Sequence, residues 1–259
     1  MKSINDYLCE KCKSGLLYLY DKLNNYNNYN PKNNGEEWVL NRLFCILLAG
    51  QKSFVVFDIG ANVGDYSESV YKILKISGKK GQIHLFEPTK YCLKILEERF
   101  GVRKNFIINN FGASNTKRSA RIFNYKESGL SSIHKRDIFN NLNTSREKIF
   151  INRLDNYVKI KRIEHINLIK IDIEGHELFG LTGLGKYLNS DFLDCIQFEY
   201  GGTYIASRTY LKDVYDLLIG KGFKIFKIFP NSLKKFEWTE RDENFQYTNF
   251  FAISKKIIE

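Results

Sequence analysis

Val56-Phe57-Asp58-Ile59-Gly60-Ala61-Asn62-Val63-Gly64-Asp65 carries the strongest structural signal in this 259-residue sequence. The preceding run, Phe54-Val55-Val56-Phe57, is continuously apolar, as in a strand buried on both faces of a parallel sheet. Gly60 and Gly64 then permit a turn in which backbone approaches a ligand closely, and helical spacing follows over 66–76. A strand, a glycine turn and a helix together present N–H groups and a positive helix end to an anionic group. The spacing is Asp-x-Gly-x-x-x-Gly, so the Gly-x-Gly-x-x-Gly dinucleotide fingerprint is absent.

Outward from this turn, short apolar runs alternate with helix-length segments. Strands are expected over 54–57, 82–86, 105–109, 165–171, 193–198, 223–229 and 250–254, with helices over 90–100, from 171 to about 187, and over 209–219. The alternation predicts an α/β fold, a doubly wound, mostly parallel seven-stranded sheet with helices on both faces, over residues 36–259. Residues 1–35 read as an N-terminal extension: a helix over 1–22, then an asparagine-rich linker around Pro31. Residues 114–156 interrupt the alternation as a long basic insertion.

Composition excludes several classes. With 20 Phe, 16 Tyr and 43% hydrophobic residues the chain is not disordered, and 3 Pro exclude a collagen-like chain. Five Cys, odd and sparse, exclude a disulfide scaffold and point to reduced thiols and a cytoplasmic location. Cys9 and Cys12 form a Cys-x-x-Cys without a second pair at zinc spacing. The longest apolar stretch near the N-terminus, 43–50, is far shorter than a membrane span. The net charge is +11, and residues 101–165 hold 14 Lys and Arg against 5 Asp and Glu. Such a concentration suggests an anionic partner, although abundant Lys, Asn, Ile, Phe and Tyr also fit an A/T-rich coding bias.

Chemistry collects at the expected strand ends, where ligands bind in this architecture. Glu87 ends the second strand, 23 residues after Gly64, where a ribose diol is held. Turn, helix and strand-end acid together indicate a nucleoside-containing cofactor. Asp172, Glu174, His176 and Glu177 follow the fourth strand within six positions. For Glu174 and Glu177 the plainer reading is charge complementarity to a helix N-terminus.

The motifs Phe57-Asp58-Ile59-Gly60-Ala61-Asn62-Val63-Gly64, Phe86-Glu87-Pro88, Leu154-Asp155 and Lys170-Ile171-Asp172-Ile173-Glu174-Gly175-His176-Glu177 resemble those of FkbM-type S-adenosylmethionine-dependent methyltransferases. Glu199, at the end of the fifth strand, is also similar. The resemblance runs from about 54 to 200. It implies a class I, Rossmann-like methyltransferase sheet, S-adenosylmethionine as cofactor, and O-methylation, often of a sugar hydroxyl in a glycan or natural product. On that footing Asp58, Gly60, Asn62 and Gly64 surround the methionine part, Glu87 the ribose, and Asn110, Phe111 and Gly112 the adenine, with Asp172 at the same site. Asp172, His176 and Glu174 are the catalytic candidates, since a general base contributes ~10²–10⁴ to such a transfer. Asp172 and Glu174 could also carry a divalent cation, which is not the favoured reading.

The basic insertion, with Ser132, His134, Lys135 and Arg136, is expected to bind the acceptor, together with Glu199 at the end of the fifth strand. That acceptor reads as an anionic saccharide: a nucleotide sugar, a lipid-linked sugar or an acidic glycan. An RNA cap or ribose methyltransferase is the second reading, although the Lys-Asp-Lys-Glu set typical of RNA 2′-O enzymes does not assemble here. A non-catalytic cofactor-binding module is the third, and the intact motifs speak against it.

Overall fold

A computed structural model of the chain describes residues 4–46, 50–51, 53–124, 131–135 and 145–258. Helices α1 (Ile4–Asn24) and α2 (Glu36–Ile46) lead into β1 (Ser53–Ile59), α3 (Asp65–Ile76), β2 (Lys80–Phe86), α4 (Lys90–Phe100) and β3 (Phe106–Asn109). Four strands of a second sheet follow: β4 (Gly112–Ala113), β5 (Arg118–Asn124), β6 (Ser131–Ser132) and β7 (Ser145–Asn152). The chain then runs through α5 (Leu154–Lys161), β8 (Ile166–Ile171), α6 (Glu177–Thr182), β9 (Leu193–Tyr200), α7 (Thr203–Ser207) and α8 (Leu211–Gly220). It closes with β10 (Phe223–Phe229), β11 (Ser232–Lys235), β12 (Thr248–Ser254) and α9 (Lys255–Ile258).

The main sheet has the order β11-β10-β12-β9-β8-β1-β2-β3. From β9 to β3 every pairing is parallel; β12, β10 and β11 pair antiparallel. It is the doubly wound, mostly parallel α/β sheet predicted from the alternation, with eight strands among the described residues rather than seven. The extra strand, β11, lies at the edge, and three of its four residues are polar, so no apolar run announces it.

Continuous apolar strands have to be covered on both faces, and they are. Phe57, Ile59, Ile169, Ile171 and Phe198 point into one core with Leu154, Leu181 and Leu218 of α5, α6 and α8. Phe54, Val56, Leu85 and Leu168 point into the other, with Val39, Val70 and Leu96 of α2, α3 and α4. The chain leaves β1 toward β2 and returns on its other side as β8. The sheet's topological switch point therefore lies between β1 and β8, and a crevice opens at their carboxyl ends.

The asparagine-rich stretch is a built loop, not a free tether. Asn25 is buried in the left-handed region, and its Nδ2 donates to the carbonyls of Asn34 (2.7 Å) and Ile228 (3.1 Å). Asn27 donates its backbone N–H to Tyr247 O (3.0 Å) and its Nδ2 to Gln246 Oε1 (2.7 Å). The loop so fixed crosses the antiparallel half of the sheet. Helix α1 behind it keeps Leu16, Leu19 and Leu23 more than half exposed. Among the described residues no helix is long and apolar enough to cross a membrane.

Candidate active site

At the switch point lies a cavity of about 550 Å³. One wall is the turn after β1. Gly60 has φ +84°, and a Cβ there would come within 1.9 Å of Asp172 O, so only glycine lets the β1 and β8 tips close. The tips are tied by Asp172 N–H to Ile59 O (3.0 Å), and Gly60 N–H reaches Phe86 O of β2 (2.9 Å). Gly64, at φ +88°, fits under Phe100 and Leu96 and begins α3.

Asp58 and Glu87 line this wall and are buried. Asp58 Oδ2 accepts from Ser67 Oγ (2.6 Å), while Oδ1 has no hydrogen-bond partner among the described residues. Burial raises the Asp58 pKa, and Lys170 and Ser67 oppose the rise. Glu87 Oε1 accepts from the N–H (2.9 Å) and hydroxyl (2.6 Å) of Thr89, and Oε2 from Asn62 N–H (3.1 Å). Burial raises its pKa too, against those three bonds. Glu87 thus joins the end of β2 to the glycine turn.

The opposite wall is the end of β8. Lys170 Nζ donates to Asp172 Oδ2 (2.8 Å) and lies 5.2 Å from the Tyr66 ring centroid. Burial would lower the Lys170 pKa, but Asp172, Glu36 and Asp58 overcome it and raise it, so the ammonium keeps its proton. Beyond Asp172 the backbone turns through left-handed Glu174 and Gly175, at φ +55° and +92°. Glu177 Oε1 holds that turn, accepting from the N–H groups of Ile173 (2.9 Å) and Gly175 (3.2 Å). Its carboxyl is pushed up to about 7 by burial. Glu177, in the first turn of α6, thus braces the loop that precedes it.

Most sequence-predicted residues meet here: Asp58, Gly60, Asn62, Gly64, Glu87, Gly112, Asp172, Glu174 and His176 all line the cavity. Several expected roles need correction. His176 is 5% exposed, with Nδ1 3.0 Å from His134 Nε2 and Nε2 3.0 Å from Ser114 Oγ. Burial, with His134 and Arg118 nearby, pushes its pKa down to about 3. With both nitrogens engaged and its basicity lowered, the ring is poorly arranged to take a proton, in contrast to the role expected of it. Phe111 packs on Phe86 (5.3 Å) and Asn110 is exposed, so neither lines the cavity.

The acceptor residues expected in the insertion are also displaced. Ser132 Oγ donates to Glu174 O (2.8 Å) and accepts from His134 N–H (3.1 Å), so both residues support the β8 turn. Lys135 is exposed and off the cavity lining, and Arg136 lies outside the described residues. Glu199, half-buried at the end of β9, is off the lining as well. Its pKa is raised well above the ordinary carboxyl value by burial and by Asp172, Glu174 and Glu177. In β5, Ile122 lines the cavity, so strand alternation turns Arg121 and Phe123 to the other face. There Arg121 pairs with Lys148 and Phe123 with Arg146, an outward basic surface.

The cavity itself is rich in carboxylates. Glu36, Glu37, Asp65, Asp172 and Glu174 line it besides Asp58 and Glu87, against Lys32 and Lys170. Among the described residues, none of the insertion's Lys or Arg side chains lines the cavity. Among the described residues no cluster of three or more His, Cys, Asp or Glu could hold a metal ion. Sequence reasoning missed Lys170, Glu36, Tyr29, Lys32 and Tyr247. Only Lys170 had a local signal, two residues before Asp172 on the same strand.

The sequence model of the Methyltransferase FkbM domain matches residues 58–225, well over half of the chain. No curated protein is similar enough to match. Among solved structures, the chain is similar to the methyltransferase FkbM of Methylobacillus flagellatus KT, with 16% identity and a TM-score of 0.49 over 78% of this chain. The match spans only 44% of that protein's length. It is also similar to Aeropyrum pernix fibrillarin, crystallised with natively bound S-adenosyl-L-methionine (12% identity, TM-score 0.44, 83% of this chain and 76% of that one). A SAM-dependent methyltransferase of Agrobacterium tumefaciens matches at 7% identity and TM-score 0.47, over 87% of this chain and 62% of that one.

Proposed function

The chain belongs to the FkbM methyltransferase family, and from that premise we propose that it is an O-methyltransferase acting on a saccharide hydroxyl, in a glycan or a nucleotide- or lipid-linked sugar. The fold is that of class I methyltransferases, and the cofactor is S-adenosylmethionine. The residues present fit it. The buried, unpartnered Asp58 Oδ1 can accept from the ammonium of its methionine part. Gly60 leaves backbone bare at the turn, and Glu87 offers a carboxylate at the end of β2. When bound, the cofactor supplies a methyl group made electrophilic by the sulfonium.

The observation that carries the reading is the continuity of one cavity from the glycine turn to Asp172 and on to a wall of hydroxyl and amide side chains. Asp172 is the residue to hold the acceptor hydroxyl and take its proton as the new O–C bond forms; Lys170, permanently charged beside it, fixes the carboxylate and cannot act as base. The rest of the cavity aligns the acceptor and excludes water. The free thiols of Cys9, Cys12, Cys92 and Cys195 support a reducing, cytoplasmic setting.

The test is calorimetric titration with S-adenosylmethionine, followed by mass spectrometry of nucleotide sugars, oligosaccharides and RNA incubated with enzyme and cofactor. A methylated saccharide is expected. Failure to bind the cofactor sinks the enzymatic reading, and methylated RNA with no saccharide product replaces the acceptor class. The outward face of Arg121, Lys148 and Arg146 is the one feature favouring RNA.

A further inference from the structure

The cavity has a second half that none of the cofactor motifs explains. Its lining comes from Tyr29, Asn30, Pro31 and Lys32 of the asparagine-rich loop, Glu36 at the start of α2, and Tyr247 ahead of β12. Glu36 is buried as an acceptor hub. It takes hydrogen bonds from Asn34 Nδ2 (2.7 Å), Gln197 Nε2 (2.8 Å) and Asn249 Nδ2 (3.2 Å), and Gln197 Oε1 accepts from Tyr66 OH (3.1 Å). Gly35 presses against β10, where a Cβ would lie 2.2 Å from Phe229 O at φ +103°. This half is therefore held by the buried contacts of Asn25, Gly35 and Glu36 and by the exposed hydrogen bonds of Asn27.

What those contacts position is a pair of rings. Tyr29 and Tyr247 lie with centroids 4.3 Å apart at 36°, and Tyr29 is 66% exposed although it borders the cavity. A tyrosine with an exposed ring and a hydroxyl offers a flat apolar face and a polar tip. A pyranose has the matching form, with C–H bonds on its faces and hydroxyls at its rim. Asn30, Tyr247 and Glu37 border the same space, the Tyr247 hydroxyl accepting from Asn249 Nδ2 (3.1 Å). In this half Glu36 and Glu37 outnumber Lys32, and carboxylates facing an acidic sugar across a cleft cost affinity.

We propose that Tyr29 and Tyr247 form the acceptor subsite and that it takes an uncharged or amine-bearing sugar ring, rejecting an acidic one. The inference rests on the saccharide reading above and narrows it. A diphosphate or acid elsewhere on the acceptor has to lie outside the cavity.

Saturation-transfer NMR with the full chain tests it, using p-nitrophenyl glucoside, glucosaminide and glucuronide, each with and without S-adenosylmethionine. The glucoside and glucosaminide are expected to bind and the glucuronide to bind at least about tenfold more weakly. Tyr29→Ala should raise the glucoside Kd by about tenfold and leave the cofactor Kd within about twofold, and Tyr29→Trp should restore glucoside binding. Equal binding of glucuronide and glucoside overturns the proposal. So does unchanged glucoside binding in Tyr29→Ala, or an equal loss of cofactor affinity, which would assign the wall to the cofactor. The arm without cofactor reads the subsite even if cofactor binding fails, so the two readings fail separately.

Discussion

Gly60 sits where the two halves of the chemistry touch. Its missing Cβ is what allows Asp172 to approach β1, so Gly60→Ala is expected to abolish cofactor binding and to destabilise the fold by at least ~2 kcal/mol, from left-handed strain and the clash with Asp172 O. Titration and urea unfolding read the two effects, and retained affinity would show that the tips need not close. Asp172→Asn should lower the methylation rate by about 10² with cofactor still bound. His176→Gln should cost far less, because the ring already spends both nitrogens on His134 and Ser114. Equal losses would return His176 to the chemistry. His84, buried against Tyr157 OH (2.7 Å), carries a pH signature. Burial and Lys161 push it from 6.5 down to about 4. Above pH 6.5 folded and unfolded states both hold a neutral ring. Below it the unfolded ring takes a proton that the folded ring refuses until about pH 4, so stability falls as pH drops through that window. Between pH 7 and 5 the parent should lose about 2 kcal/mol relative to His84→Gln, read from paired urea midpoints. A difference that does not change with pH would mean the folded ring is protonated normally.

The antiparallel pair of β5 and β7 shows how an element can separate charge from chemistry. Its inner face, Ala120, Ile122, Ile149 and Ile151, is core, and its outer face carries Arg121, Arg146 and Lys148. Arg121→Ser with Lys148→Ser should leave cofactor affinity and the rate on a neutral glycoside within about twofold, since exposed charges contribute ~0–1 kcal/mol. Steady-state kinetics settle it, and a large loss would put this face in the acceptor path. Elements of this kind explain what is legible in the sequence. β1 announces itself as a continuous apolar run, and β2, β8 and β9 as apolar-rich segments broken by polar residues; all four are largely buried, and the tips of β1, β2 and β8 lead into Gly60, Glu87 and Asp172, where the fold needs a turn or a ligand. β11 is an edge strand and lacks that pattern. The insertion's basic composition is legible, but its alternation decides which residues face inward, and only the pairing register of β5 on β7 shows that. The asparagine-rich loop reads as a linker because its partners, Ile228, Gln246 and Tyr247, lie some two hundred residues away.

Across the whole molecule the charge is arranged inside out: a chain of net charge +11 encloses a cavity in which carboxylates outnumber cations. Formal charge alone points to an anionic acceptor, whereas the lining side chains suit the uncharged or amine-bearing ring proposed above. The same scale governs the loop that completes the cavity. Gly35→Ala should destabilise the chain by about 2 kcal/mol or more, through left-handed strain and contact with Phe229 O, and should raise the acceptor KM while the cofactor Kd stays put. Unfolding and kinetics on one variant check both, and an unaltered KM would detach the loop from the acceptor. The hydrogen bond from Asn25 to Ile228 spans 203 positions. During synthesis, at ~5–20 residues per second, the loop therefore waits roughly ten to forty seconds for the strand that will seat it. A nascent chain halted short of Tyr247 already carries the β1 glycine turn and Glu87 but only Tyr29 of the aromatic pair. On the proposed assignment of Tyr29 and Tyr247, the ribosome delivers the cofactor half first and the acceptor subsite is completed last, around a loop that was translated among the earliest segments.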